Sequence, residues 1–234
     1  MKYEMAGKVR FSEVDSQKRI TLPAVINYFQ DCSTFQSEEL GVGFNHLESR
    51  HMAWILSSWQ IVIKRRPLFG EQITTATWAT DFHGIYGTRN FAMTDAAGNA
   101  AVYANSIWVY MDVVTGRPSK PGEEQIRLYD MQPALEMDYA PRKIKLPQEC
   151  RVGQAFPVCR YHIDTNGHVN NCQYVQMALE VLPEDIPVGQ VRVEYKKAAV
   201  YGDKIIPKTA KEGNRTVIEL CGEDGNPFAV VELV

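Results

Sequence analysis

The sequence predicts an α+β protein made of two tandem copies of one domain, residues 1–116 and 151–234, separated by a linker at 117–150. Each copy is expected to be a long helix against a curved antiparallel sheet. Joining the two sheets edge to edge would hide backbone groups that otherwise invite aggregation. Three observations carry this expectation. A long helical pattern is followed by several strand-like runs, which is an α+β order. Short motifs of the first half recur in the same order in the second. Between the halves lies a proline-rich stretch that fits neither pattern.

The first helix is expected behind Thr21-Leu22-Pro23. Thr21 suits the N-cap, and Pro23 suits the first turn, where its missing N–H costs little. Val25, Ile26, Phe29, Cys32 and Leu40 then recur at helical spacing, and Gly41 suits a C-cap. Such a helix has roughly five turns at about 3.6 residues each, with an apolar face wide enough to lie on a sheet. The strands expected after it are Ala53–Ile63, Gln72–Thr80, Gly87–Thr94 and Ala101–Asp112, all rich in β-branched or aromatic residues. Phe69-Gly70, Gly98-Asn99 and Thr115-Gly116 punctuate them as turns. In 117–150, Pro118, Pro121, Pro133, Pro141 and Pro147 lie among mixed charges, so a surface connector is expected, with a short helix at Glu123–Tyr129.

The repeat is ordered. Val14-Asp15-Ser16 matches Ile163-Asp164-Thr165, an offset of 164 − 15 = 149. Ile61-Val62-Ile63-Lys64-Arg65 resembles Val193-Glu194-Tyr195-Lys196-Lys197, and Gly70-Glu71 matches Gly202-Asp203. Gly87-Thr88-Arg89-Asn90 resembles Gly213-Asn214-Arg215-Thr216, and Gly98-Asn99 matches Gly225-Asn226. Chance supplies any one of these, but the preserved order points to two copies of one domain.

Composition excludes several function classes. A net charge of −3 offers no general attraction to nucleic acid or anionic membrane. No apolar run approaches the roughly 20 residues of a membrane helix, and Met1 to Arg10 lacks the pattern of a signal peptide. The five cysteines, Cys32, Cys150, Cys159, Cys172 and Cys221, form an odd set without CxxC spacing. That argues against a disulfide framework or a structural zinc, and a reducing cytoplasm is the expected compartment.

The chemistry is concentrated in His162-Ile163-Asp164-Thr165-Asn166-Gly167-His168-Val169-Asn170-Asn171, with Cys172-Gln173-Tyr174 behind it. A carboxylate, an amide and an imidazole flank a glycine, directly before a second helical pattern. His168 suits a general base, because an unperturbed histidine has a pKa of about 6.5. Asn166 can orient a water or donate to a carbonyl oxygen. Asp164 can hold the imidazole or attack a carbonyl itself. Free N–H groups at the helix start, Asn171 to Gln173, would stabilise a developing oxyanion. Each residue also has a plain structural role open to it. Asp164 and Asn166 suit turn capping, a lone histidine is more often a satisfied structural one, and at least one of Asn170 and Asn171 is expected to cap the helix. Cys172, in the helix's first turn, is expected to be a packing residue rather than a nucleophile. In the first copy Gln17, Lys18 and Arg19 replace Asn166, Gly167 and His168, so Asp15 is left with a capping role.

The pattern Asp164-x-Asn166-x-His168-Val169-Asn170-Asn171-x-x-Tyr174, with Leu179-Glu180 closing the helix, resembles the active-site motif of acyl-acyl carrier protein thioesterases. These are double hot-dog proteins of plant plastids and bacteria. Val9-Arg10-Phe11, Asn27-Tyr28-Phe29-Gln30-Asp31 and Trp54-x-Leu56 agree with the same family, so the likeness spans nearly the whole chain.

The resemblance implies two tandem hot-dog domains that hydrolyse fatty acyl-acyl carrier protein to free fatty acid, with Asp164, Asn166 and His168 as the catalytic set and no cofactor or metal. An acyl-CoA thioesterase or a non-catalytic acyl-binding protein is the alternative. The family's apolar cavity lies mainly in the N-terminal copy, which makes Phe29, Met52, Trp54 and Leu56 candidates for its lining. Acyl carrier protein is acidic, so basic docking residues are expected among Lys64, Arg65, Arg66, Lys196 and Lys197, with Arg142-Lys143-x-Lys145 a further cluster. The repeat predicts that the first two clusters share one face, and a homodimer is an open alternative to the monomer. One departure stands out: the plant enzymes carry an acid and then a cysteine after the second helix, where this chain has Ala198-Ala199. Glu194 and Glu180 are the nearest substitutes in sequence.

Overall fold

A computed structural model of the chain describes residues 2–183 and 186–234 and divides into two compact units. The first comprises Met1–Ser57 and Ile63–Tyr139, the second Ser58–Val62 and Ala140–Val234. The stretch 117–150 is therefore shared out, its first part packing with the first unit and residues from Ala140 with the second.

In the first unit, strand β1 (Tyr3–Lys8) precedes helix α1 (Leu22–Glu39), which is followed by the short helix α2 (Phe44–Ser49). Strands β2 (Met52–Ile63), β3 (Gln72–His83), β4 (Tyr86–Asp95) and β5 (Ala100–Asp112) come next, each within a few residues of its sequence-based span. The strand order is β1-β3-β4-β5-β2, antiparallel throughout the registers seen. The Thr21 hydroxyl accepts the Ala24 N–H, Pro23 lies in the first turn, and the chain leaves α1 through Leu40 and a left-handed Gly41 (φ 71°). Val25, Ile26, Phe29 and Cys32 are buried along one face of α1. The Phe29 ring lies 5.1 Å from Phe91 of β4, so hydrophobic burial between helix and sheet holds this unit together.

The sheet's opposite face is covered by the connector. Asn90, next to Phe91 and therefore on the other face of β4, uses its side-chain oxygen to accept the Leu135 N–H at 2.9 Å and the Tyr139 hydroxyl at 3.2 Å. Trp78 donates its indole N–H to the Pro133 carbonyl at 3.0 Å. Within the connector are the two-residue strand β6 (Arg117–Pro118) and helix α3 (Glu123–Leu128), close to the helix expected there.

The second unit repeats the plan. Short strands β7 (Arg151–Val152) and β8 (Phe156–Pro157) lead to helix α4 (Asn171–Glu180). Strands β9 (Gln190–Tyr195), β10 (Lys204–Glu212), β11 (Arg215–Cys221) and β12 (Pro227–Leu233) follow. The sheet runs β9-β12-β11-β10-β7, and Ser58–Val62 of β2 pairs with β9, Trp59 opposite Val193. The equivalent strand order in the first unit, β2-β5-β4-β3-β1, makes the duplication visible in the topology. One helix over one antiparallel sheet in each unit is the hot-dog arrangement. Among the described residues no helix is long and apolar enough to cross a membrane, and no cluster of three or more His, Cys, Asp or Glu could hold a metal ion.

Candidate active site

The candidate residues Asp164, Asn166 and His168 lie on a tight turn between a 3-10 turn, Arg160–His162, and the start of α4. The turn closes on itself: Ile163 and Val169 form an isolated antiparallel bridge, and Asp164 N–H donates to the His168 carbonyl at 2.8 Å. Gly167 takes φ 77°, a conformation that other residues adopt only with strain. The Asp164 Oδ1 accepts the Asn166 N–H at 2.8 Å and the His168 N–H at 3.4 Å. So the plain capping role exists, and Asp15 performs it too in the first unit, its Oδ1 accepting Gln17 and Arg19 N–H at 2.9 Å each. Burial opposes ionisation of Asp15, but these N–H groups and the Arg66 guanidinium outweigh it and hold its pKa below the ordinary value. The capped object is a turn in both copies.

What differs between the copies is what the turn displays. The Asn166 and His168 side chains are exposed, Asp164 is half-buried, and among the described residues the side chains of these three make no hydrogen bonds to one another. Asp164 therefore does not hold the imidazole; it shapes the backbone that carries it. Its second oxygen, Oδ2, has no protein partner among the described residues.

The helix start behind the turn is partly spent. Asn170 is the N-cap: its side-chain oxygen accepts the Cys172 N–H at 3.0 Å, and its carbonyl accepts the Gln173 N–H at 2.9 Å. Of the three N–H groups expected to face an oxyanion, Asn171 alone is left without a hydrogen bond among the described residues. Cys172 is buried, as a packing residue should be.

Ala198-Ala199 lies beside this turn. The Ala199 carbonyl accepts the Val169 N–H at 2.9 Å, and the Ala199 N–H donates to the Tyr174 hydroxyl at 2.8 Å. Tyr174, at the position where the motif ends, is thus a clamp between α4 and the loop. Burial pushes its pKa up to about 12, so it stays a neutral phenol. Tyr174→Phe leaves the buried Ala199 N–H unsatisfied and is expected to destabilise the second unit by about 1–3 kcal/mol; urea denaturation checks this, and an unchanged midpoint would contradict it. Loop shape is further set by Asp203, whose Oδ2 accepts the Val200 N–H at 2.9 Å and whose carbonyl accepts the Val158 N–H at 2.7 Å. The sequence patterns include Asp203 and His162 but assign a role to neither; the buried Nδ1 of His162 accepts the Cys159 N–H at 2.9 Å, and burial pushes its pKa down.

Neither acid considered as a substitute for the missing one fits. Glu194 is buried and occupied, with Oε2 accepting the Ile144 N–H and Oε1 paired with Lys196. Glu180 accepts from Gln176 at the far end of α4, nine residues on from Asn171.

Phe29 and Leu56 are buried core residues, Met52 is half-buried at the start of β2, and Trp54 packs 4.8 Å from Tyr110 and 5.9 Å from Phe82. Trp54 is the polar exception, since its buried indole N–H has no partner among the described residues. The basic residues are already engaged. Arg65 pairs with Glu71 at 2.6 Å and Asp95 at 3.0 Å, and the Glu71 hydrogen bond pushes its pKa up. Arg66 pairs with Asp15 at 2.9 Å and donates to the Ile20 carbonyl. Lys64 lies 5.4 Å from the Tyr103 ring centre, Lys197 5.7 Å from that of Phe228, and Lys196 is held by Glu194.

Comparison with known proteins bears directly on this arrangement. A chloroplastic acyl-[acyl-carrier-protein] hydrolase of Cuphea viscosissima is 24% identical over 237 residues, covering 93% of this chain and 58% of the relative. An oleoyl-acyl carrier protein thioesterase of Arabidopsis thaliana is 24% identical over 247 residues, covering 97% of this chain and 67% of the relative. The chain thus spans little more than half of the length of the first of these. Among solved structures, an acyl-ACP thioesterase from Bacteroides thetaiotaomicron superimposes with a TM-score of 0.92 at 20% identity, over 100% of this chain and 97% of that one. The 12:0-ACP thioesterase of Umbellularia californica superimposes with a TM-score of 0.84 at 18% identity, over 99% and 96%. These likenesses speak for the fold. The Acyl-ACP thioesterase N-terminal domain model matches residues 1–129 and the C-terminal domain model matches residues 137–227. Both halves of the duplication are accounted for in order, with the Asp164–His168 turn in the second, and the chain belongs to the acyl-ACP thioesterase family.

Proposed function

We propose that the protein hydrolyses the thioester of a fatty acyl-acyl carrier protein, releasing free fatty acid and ending chain elongation in the cytoplasm. The observation that carries this reading is the pairing of exposed Asn166 and His168 on one Asp164-shaped turn at the helix start, against Gln17 and Arg19 at the matching positions of the first copy's turn. His168 takes a proton from water as it attacks the thioester carbonyl, which breaks the carbonyl π bond and places charge on its oxygen. The Asn171 N–H, at the positive end of α4, and the Asn166 amide are the donors for that oxyanion. Collapse expels the thiolate, and the imidazolium returns its proton to the sulfur. Asp164 acts as the orienting group in this scheme, because its Oδ1 is already committed to the two backbone N–H groups.

The reading is tested by comparing kcat/KM on acyl-acyl carrier protein and acyl-CoA of matched chain length. A higher value on the carrier protein supports it. A higher value on acyl-CoA would make the protein an acyl-CoA thioesterase, and binding without turnover would make it an acyl-binding protein.

A further inference from the structure

Arg160 and Tyr201 meet beside the Asp164–His168 turn, on two segments that are both hydrogen-bonded to it. Arg160 opens the 3-10 turn whose last residue, His162, accepts the Asn170 N–H through its carbonyl at 2.9 Å. Tyr201 belongs to the loop whose Ala199 carbonyl accepts the Val169 N–H, and that loop is fastened to the first segment by Val158 N–H to Asp203 carbonyl and Gly202 N–H to Val158 carbonyl. The guanidinium lies 5.4 Å from the Tyr201 ring centre. Both side chains are exposed, as are Tyr161 (76%) and Val200 (42%) beside them. Among the described residues no carboxylate pairs with Arg160, in contrast to Arg65, Arg66 and Lys196.

The duplication supplies an internal control. At the offset that relates Asp15 to Asp164, 160 − 149 = 11, the first copy has Phe11, and the Gly70/Gly202 match sets Phe69 opposite Tyr201. Phe11 and Phe69 form an edge-to-face pair with ring centres 6.1 Å apart. The same two positions therefore touch in both copies, but the pair includes a cation in the copy that carries Asn166 and His168 and is two phenylalanines in the other. A guanidinium held over a ring keeps its edge N–H groups pointed outward in the planar fork that matches phosphate oxygens.

We propose that Arg160, positioned by Tyr201, binds the phosphate of the 4′-phosphopantetheine arm that presents the acyl thioester. The inference rests on the thioesterase reading for the identity of the arm. The phosphate is common to carrier-protein and CoA thioesters, so the site reads chemistry that both share.

The test is isothermal titration of the wild type, Arg160→Lys and Arg160→Ala with non-hydrolysable S-dodecyl thioethers of 4′-phosphopantetheine and of pantetheine. The phosphate is expected to tighten binding about tenfold in the wild type through charge-assisted hydrogen bonds, to retain part of that in Arg160→Lys, and to give a ratio near one in Arg160→Ala. An equal ratio in wild type and Arg160→Ala overturns the proposal, as does failure of the wild type to bind either probe. Hydrolysis assays run alongside separate the two ideas: a phosphate preference that depends on Arg160, without any turnover, sinks the thioesterase reading and leaves this site standing. Finally, a similar rise in KM for acyl-acyl carrier protein and acyl-CoA in Arg160→Ala supports the shared phosphate, and a rise confined to the carrier protein overturns it.

Discussion

Glu232→Ala is expected to destabilise the second unit by about 3–5 kcal/mol, the range for removing one partner of a buried ion pair. Glu232 is 3% exposed and joins two arginines from neighbouring strands. Its Oε1 accepts from Arg192 at 2.6 Å, and its Oε2 pairs with Arg215. Those arginines in turn hold the connector: Arg192 donates to the Pro141 and Lys143 carbonyls, and Arg215 to the Lys145 carbonyl. Between these contacts Ile144 is buried against Val217 and Val230, with its N–H on Glu194. Loss of the carboxylate strands two cations against the sheet and frees the strap above them. A urea melt should show the loss, and protease cleavage near residues 141–147 should appear in the variant. The exposed pair Arg127–Glu123, 3.5 Å apart with side chains 78% and 88% exposed, is the contrast; Glu123→Ala is expected to change stability by well under about 1 kcal/mol. A Glu232→Ala variant as stable as the wild type would show that the network is incidental.

The largest effect on activity is expected at His168. His168→Ala should lower kcat by about 10²- to 10⁴-fold, the usual contribution of a positioned general base. Its melting temperature should stay within a degree or two, because the side chain is exposed and makes no hydrogen bond among the described residues. Asp164→Ala should lower both, since Asp164 shapes the turn that carries His168. The contrast between the two variants separates the reacting group from the one that positions it. Unchanged turnover in a folded His168→Ala protein would remove His168 from the mechanism.

The elements of the fold were legible where the signal is local. Thr21, Pro23 and the apolar spacing of Val25, Ile26, Phe29 and Cys32 define α1 without reference to any other part of the chain. The strands β2 to β5 announce themselves through β-branched and aromatic runs between glycine turns such as Gly70 and Gly98. The connector was not legible in the same way. Its prolines and charges read as a surface crossing, but what fastens it is Asn90, Trp78, Arg192 and Arg215, all far from it in sequence.

The site divides along the same line. Residue types and spacing single out Asp164, Asn166 and His168 as candidates and one of Asn170 and Asn171 as the helix cap; the structure gives that cap to Asn170. Which backbone N–H groups remain free depends on tertiary partners, and the clamp of Ala199 between Tyr174 and Val169 does too. The basic clusters were misleading for a related reason. Lys64-Arg65-Arg66 looks available as a string of letters, while Glu71, Asp95 and Asp15 answer two of its charges in space. Arg160 drew no attention in the sequence because a single arginine beside an aromatic has no pattern. Its meaning comes from the loop folded against it and from the apolar pair at the same place in the first copy.

The central claim is that the second unit's turn performs thioester hydrolysis. Its most direct measurement is the free thiol and free fatty acid released when purified protein is mixed with acyl-acyl carrier protein. The account predicts one thiol and one fatty acid per thioester consumed, with release by the wild type and almost none by His168→Ala. Acyl-acyl carrier protein that is bound but recovered intact, or release that persists in the His168→Ala protein, would contradict it.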